Sequence, residues 1–381
     1  DEVGPLLAAL AARPTLSADD AHDKTRTLHE LRGREGMSAW HARADAWCGA
    51  VMQDEPPAQG VWRAVDDALR AGGRATTRVA PAEGCVAVHA ERWRALARSQ
   101  QCLHWNLAFP EIFETGRGGF DAVIANPPWE MLRGDLGTTA DRAERRGDIA
   151  PLMRFVRRSG VYRDTGGHVN SYQLFLERML QLVRTGGRIG CLLPGGILAD
   201  HGAAALRRHL FDRADIDRIT VFDNRDALFP IHRSMRIVAV TGQRGSATTA
   251  VLVDEGESTS GRRRTSTSGS EPRLLSRAML RRASGESEAI PSVRSAAELA
   301  VLERLIQAPR LGGGWRLRFG RELNATEDRH LFRDGSAGDV DALHVVDGKH
   351  MKPFTVRPPD TPWIAAADAK RVLPDAPWEH W

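Results

Sequence analysis

Phe120-Asp121-Ala122-Val123-Ile124-Ala125-Asn126-Pro127-Pro128-Trp129 is the stretch on which the reading of this chain turns. A short apolar run preceded by Gly118-Gly119 predicts a strand covered on both faces, and the prolines after it predict a stiff bend. Proline locks φ, lacks a backbone donor and pushes its predecessor out of the helical region, so Asn126 is presented from a rigid, non-helical turn. An exocyclic amine on an aromatic ring is a poor nucleophile because its lone pair is spread into the ring. The side-chain oxygen of Asn126 and the backbone carbonyl of Pro127 can each accept one of its N–H groups and leave that pair free. Pro128 completes the bend, and Trp129 offers a flat face on which a nucleobase can stack, a contact worth roughly 1–3 kcal/mol. Asn-Pro-Pro is also ordinary turn punctuation. Its place at the end of a strand, where ligands collect in open α/β sheets, favours the chemical reading.

Working outward, 381 residues suffice for a substantial core and two or three domains. No apolar run approaches the roughly 18 residues that cross a bilayer, and no basic-then-apolar leader opens the sequence. A cytoplasmic protein with no membrane partner is expected. Cys48, Cys85, Cys102 and Cys191 lack metal-ligand spacing, so neither a zinc site nor a disulfide framework is suggested. The 53 basic and 49 acidic residues nearly balance at a net +4, which permits nucleic-acid binding without demanding it. Only four of the basic residues are lysine. Arginine suits bidentate phosphate and guanine contacts, but a coding bias gives the same composition.

Residues 1–101 read as a helical region carrying no evident chemistry. Residues 102–244 alternate strands and helices, the pattern of an α/β core with a largely parallel sheet. Within them Asn170-Ser171 can cap a helix whose apolar positions Tyr172, Phe175, Leu176, Met179, Leu180 and Val183 follow helical spacing. That helix is expected to stop at Gly186-Gly187 before a buried strand, Arg188 to Leu193. A second helix is expected from about Ile197 to Leu210. Two strands, Ile216–Phe222 and Arg236–Thr241, are expected to pair at one edge of the sheet. Residues 245–290 read as a flexible linker or loop, poorest in apolar groups at 255–272, and 291–381 as the start of a further domain.

With these blocks laid out, the chain resembles the N6-adenine DNA methyltransferases of type IIG restriction-modification systems and of the BREX and DISARM phage-defence methylases. The likeness runs through His104–Glu111, the Asn126 bend, Val169–Phe175, Gly186–Gly190 with Pro194, Leu228-Phe229-Pro230 and Ser234-Met235-Arg236. Arg321–Asn324 and Asp347–His350 are similar to the start of the family's target-recognition region. The resemblance implies a Rossmann-like methyltransferase core and an incomplete C-terminal recognition domain. It implies S-adenosylmethionine as cofactor, no metal, and double-stranded DNA as partner, with other subunits of a defence system as further partners. It implies that Asn126 and Pro127 hold the target amine and that Trp129 stacks on a flipped adenine. Phe229 would touch the base from another side, its other reading being a strand-end core residue, and Tyr172 and Phe175 would border the cofactor pocket but are equally readable as core residues.

One departure matters. The family's acidic residue and Gly-x-Gly turn after a first strand normally precede the catalytic block, and nothing before Phe120 matches them. The expectation is that the core is partial, that the cofactor-loop half lies upstream of Asp1 or has been lost, and that residues 1–101 are an insertion. This segment alone is then expected to be inactive. Two other readings stay open: a non-catalytic DNA- or partner-binding remnant, and a methyltransferase acting on RNA or on a protein amide.

Overall fold

The computed structural model describes residues 12–32, 35–70, 83–113, 118–132, 139–163, 169–225, 229–256, 271–293 and 295–310, then 323–324, 327–335, 341–346, 351–352, 355–356 and 362–374, with 6, 9–10, 116 and 227 besides. Residues up to Gln307 form one compact unit, and Ala308–Trp381 form another.

The N-terminal region is helical, as its alanine- and leucine-rich composition predicts. Its helices are α1 (Ala18–Arg32), α2 (Glu35–Val51), α3 (Gln59–Arg70) and α4 (Glu83–Ser99). Ala46 and Ala50 of α2 pack with Val65 of α3 and with Ala90 and Trp93 of α4. Small residues allow that close approach: a Cβ on Gly49 would lie 1.9 Å from the Trp93 carbonyl oxygen. Arg43 Nε meets Asp66 across α2 and α3 at 2.7 Å, and Arg70 Nε meets the same carboxylate at 2.8 Å. Cys102 packs against the buried Cys48, a meeting that their spacing in sequence does not reveal.

The α/β part is built on β1 (Phe120–Ala125), α5 (Thr139–Arg158), α6 (Ser171–Leu182), β2 (Val183–Pro194), α7 (Ala204–Arg213), β3 (Ala214–Asp223), β4 (Arg236–Arg244), β5 (Ala250–Glu255), β6 (Arg273–Ser276) and α8 (Arg277–Ser284). Its six strands lie in the order β1-β2-β4-β3-β5-β6. β1 is parallel to β2 and β3 to β5, whereas the other three pairings are antiparallel. The sheet is therefore mixed, not largely parallel. The expected β3–β4 pair exists, but it sits in the middle of the sheet, because β5 and β6 extend the sheet beyond β3.

Those two strands come from the stretch expected to be a linker. Residues 245–290 contribute β5, β6 and α8, and the buried Val251, Val253, Leu275 and Leu280 join the main core. Short alternating apolar residues on either side of a Ser/Thr/Arg-rich run suffice for two strands, of which β6 is the edge. The run itself, 257–270, lies outside the described residues. Helix α9 (Ala296–Leu305) also belongs here: Leu299, Leu302 and Ile306 pack on the same core. Buried Arg277 bridges Glu288, which is fully enclosed, and Asp212 at 2.9 and 2.6 Å. Those ion pairs tie α8 to α7.

Helix α6 begins at the predicted cap. Asn170 Oδ1 accepts from the Tyr172 N–H at 3.3 Å, and Gln173 Oε1 accepts from the Asn170 N–H at 2.8 Å, a reciprocal capping box. The helix passes into β2 at Val183, ahead of Gly186-Gly187, so both glycines are strand residues. Close approach requires the second: a Cβ on Gly187 would lie 2.9 Å from the carbonyl oxygens of Phe120 and Asp121. The helix expected from Ile197 to Leu210 is broken into Gly196–Ala199, a 3₁₀ turn at His201–Ala203, and α7. Asp200 is extended between the pieces, with ψ 137°.

The second unit contains β7 (Ala342–His344) paired antiparallel with β10 (Trp363–Ala365), the pair β8 (Met351–Lys352) and β9 (Thr355–Val356), and α10 (Ala366–Val372). Ile364, Ala366 and Ala369 are buried in it. The recognition-like blocks at 321–322 and 347–350 lie outside the described residues.

Candidate functional site

β1 positions the Asn126 bend, but as the sheet's edge strand. β2 lies on one side only, and the burial along Phe120–Ala125 alternates between half-buried and exposed, with Ile124 86% exposed. The expectation of a strand covered on both faces fails for that reason. An apolar run records what a strand needs for cover, not whether the described residues provide it. The amino end of β1 is fixed by aromatic packing. Trp105, Phe109 and Phe113 surround the Phe120 ring at 5.9, 5.4 and 5.5 Å between centroids. His104 Nε2, 2.7 Å from Asp45 Oδ1, ties that approach segment to α2.

At the carboxyl end of β1, Asn126 is exposed, Pro127 buried and Pro128 exposed. The buried proline anchors the bend and leaves the Asn126 amide facing solvent. Trp129 is half-buried against the main core and not free-standing, and its indole N–H is enclosed without a hydrogen-bond partner. The start of α6 stitches the following backbone in place. Asn170 Nδ2 donates to the Trp129 carbonyl at 3.2 Å, the Ser171 N–H to the Glu130 carbonyl at 2.9 Å, and the Leu132 N–H to the Val169 carbonyl at 3.0 Å. The cap residue of α6 therefore also holds the bend, a second duty that its sequence context does not disclose.

Because β4 is antiparallel to both of its neighbours, β1, β2 and β3 all point the same way. Their carboxyl ends bring the Asn126 bend, the Pro194-Gly195-Gly196 turn and the 224–232 loop to one edge of the sheet. β1 and β3 are three strand spacings apart, about 14 Å. Asn224, fully buried after β3, organises the 224–232 loop. Its Oδ1 accepts from the Phe229 N–H at 2.8 Å, and its Nδ2 donates to the carbonyls of Phe229, Ile231 and His232 at 3.2, 3.1 and 3.3 Å. Phe229 is half-buried, edge-on to Phe222 at 6.2 Å. Sequence reasoning missed Asn224; an amide just past a strand and five residues before Phe-Pro was its only signal.

Tyr172 and Phe175 part company. Tyr172 is a core residue, 5% exposed, and burial first, with Asp200 second, pushes its phenol up to about 12. Phe175 is 48% exposed and faces a cavity of about 1630 Å³ beside β1. Ile124, Trp40, Trp47 and Phe155 share its walls. The acidic residue on that wall is Asp66, already engaged by Arg43 and Arg70. Among the described residues no cluster of His, Cys, Asp and Glu could hold a metal, and no helix is long and apolar enough to cross a membrane.

No curated protein matches the chain. Solved structures similar to it include a class I S-adenosylmethionine-dependent methyltransferase from Listeria monocytogenes, with 16% identity and a TM-score of 0.26 over 37% of this chain and 38% of that one. The modification subunit of a type I restriction enzyme from Vibrio vulnificus YJ016 shares 15% identity, with a TM-score of 0.27 over 66% and 55%. The type IIG restriction endonuclease BpuSI shares 14% identity, with a TM-score of 0.30 over 96% and 42%. This chain thus spans less than two thirds of each, and scores this low assign nothing to it. The family comparison is specific where these are not. The model of the Eco57I restriction-modification methylase matches residues 87–229, from within α4 through the Asn126 bend, α6, β2 and β3 to Phe229.

Proposed function

We propose that this chain carries the target-amine half of an S-adenosylmethionine-dependent DNA methyltransferase of a restriction-modification or phage-defence system, acting on the N6 amine of an adenine turned out of the duplex. One observation carries the reading: inside the Eco57I-family segment, a bend anchored by buried Pro127 leaves Asn126 exposed at the carboxyl end of a strand. Asn126 Oδ1 and the Pro127 carbonyl accept the two amine hydrogens. That draws the nitrogen toward a tetrahedral shape and frees its lone pair. Trp129 and Phe229, on the same sheet edge, flank the purine, and extrusion costs a few kcal/mol that stacking returns in part.

S-adenosylmethionine, when bound, supplies a methyl group on a sulfonium and leaves as a neutral thioether. The described residues fit one side of it. Phe175 and Ile124 give the cavity beside β1 an apolar wall suited to the adenine ring and methionyl chain. They do not supply a free carboxylate for the ribose hydroxyls, since Asp66 is committed to two arginines. The rest of that cradle has to come from outside the described residues.

Methyl transfer from labelled S-adenosylmethionine to duplex DNA, RNA and protein, measured with the complete protein, tests the reading. Transfer to duplex DNA at adenine is expected, and Asn126→Ala is expected to lower its rate by at least about a hundredfold, the scale of losing one preorganised transition-state contact. An Asn126→Ala protein with normal turnover would refute the role of that residue. The commitment of Asp66 to Arg43 and Arg70 among the described residues also favours a second reading, a DNA- or partner-binding remnant. Calorimetry separates the two. The 381-residue chain by itself is expected to bind S-adenosylmethionine weakly or not at all, and the remnant reading prevails if the complete protein does no better.

A further inference from the structure

A cleft of about 330 Å³ opens at the other end of the sheet, away from the Asn126 bend. Arg178 of α6, His209 and Arg213 of α7, Arg244 at the end of β4, and Arg163 line it, and among the described residues Glu177 is the one carboxylate there. Topology fixes its place. Arg178 precedes the amino end of β2, Arg213 precedes the amino end of β3, and Arg244 pairs with Ala214 beside that end. Asn126 follows Ala125, which pairs with Cys191 eight residues further along β2. At about 3.3 Å per residue, the cleft and the bend are on the order of 20 Å apart. The phosphates of a nucleotide held at Asn126 do not reach so far.

Among the described residues the cleft is unbalanced in charge. Four guanidinium groups face it, and none of the four makes an ion pair among the described residues. Their visible bonds go to neutral groups. Arg178 Nη1 donates to Gln181 Oε1 at 2.7 Å, and Arg244 donates to the Val183 carbonyl. Gln181 in turn donates to the Val161 carbonyl at 2.6 Å, which steadies the acceptor that Arg178 uses. Glu177 Oε1 accepts the Arg163 N–H at 2.8 Å. Arg178 and Arg244 are half-buried, and desolvation holds the Arg178 guanidinium below the ordinary arginine range, with Tyr162 opposing. Half-buried charge in a protein is normally paired. Guanidinium forks left with spare donors match the oxygens of a phosphoryl group.

We propose that this cleft binds a small phosphoryl oxyanion, of monophosphate to diphosphate size, at a site separate from the base-flipping bend. Its concavity suits a compact anion, whereas a duplex backbone is convex and meets protruding side chains. The anion completes the charge balance of α6, α7 and β4, so its binding stabilises the sheet end at which they meet.

Calorimetric titration of the 381-residue chain with inorganic pyrophosphate at low salt, alongside thermal melting, tests this. One saturable site is expected, with affinity that falls as salt rises and a Tm that rises with ligand. Arg178→Gln and Arg213→Gln are each expected to weaken binding at least tenfold. Arg213 is exposed, so its variant should melt like wild type in the absence of ligand, which separates lost binding from lost folding. The proposal fails if wild type shows no saturable binding, or if Arg213→Gln binds as wild type does. A competing blunt duplex is expected to leave pyrophosphate in place. Displacement by the duplex, abolished in Arg213→Gln, would overturn the small-ligand assignment and give the cleft to the DNA backbone.

Discussion

Asn126 and Asn224 show how one residue type serves opposite ends. Asn126 is exposed, and in the function proposed above its amide meets the target amine. Asn224 is sealed in, and every polar atom of its side chain has a backbone partner in the Phe229 loop. Truncating Asn224 to Ala strands the Phe229 N–H and the Ile231 carbonyl, whereas the Phe229 and His232 carbonyls keep the N–H groups of Ile231 and Met235. We expect a loss of roughly 1–3 kcal/mol in chemical denaturation and, on the function proposed above, weaker binding of duplex DNA as the Phe229 loop loosens. Asn126→Ala removes no internal bond and should leave the denaturation midpoint where it was. The two variants together separate chemistry from scaffolding. Sequence pointed to Asn126 because two prolines follow it, whereas Asn224 lies among charged residues and carries no such flag.

At the scale of elements, the helices were more legible than the strands' neighbours. α6 was readable from its cap to its apolar stripe because a helix satisfies its own backbone and advertises its ends locally. Its exit was misplaced, since Gly186 and Gly187 look like a stop and are in fact part of β2. The reason is tertiary: Gly187 is small because β1 crosses it closely. Gly187→Ala, ordinarily a gain of about 0.4–1 kcal/mol through the unfolded chain, should here be a net loss of roughly 1–3 kcal/mol from overpacking. Hydrogen exchange should report it as faster exchange of the β1 amides, with β3–β5 protected as before.

For the whole molecule, the helical region is held partly by a charge device that acid undoes. Hydrogen bonding to Arg43 first, then to Arg70, holds the Asp66 carboxyl below the usual carboxylate range, against an opposing contribution from burial. The folded value lies below the unfolded one of about 4. Its stabilisation is therefore complete above pH 4 and is lost as pH falls through the lower, folded value. Circular dichroism on acidification should show α2 and α3 loosening below pH 4. Asp66→Asn should be less stable at pH 7 and less sensitive to acid. That region also walls the cavity beside β1, so an acid-treated protein should lose the cavity's shape before the six-stranded sheet opens.

What the sequence determined by itself was everything encoded locally: a stiff Asn-Pro-Pro bend after an apolar run, a capped amphipathic helix, a helical amino-terminal third, and a family likeness borne by short ordered blocks. Tertiary structure decided what depends on neighbours distant in the chain. It set β1 at the edge of the sheet, drew β5 and β6 out of an expected linker, separated Tyr172 from Phe175, and gathered arginines from 163 to 244 around one cleft. Caps and turns are satisfied within a few residues, so their signals survive in a linear reading. Strand order and charge balance are settled between segments a hundred residues apart, where sequence spacing carries no record of who meets whom.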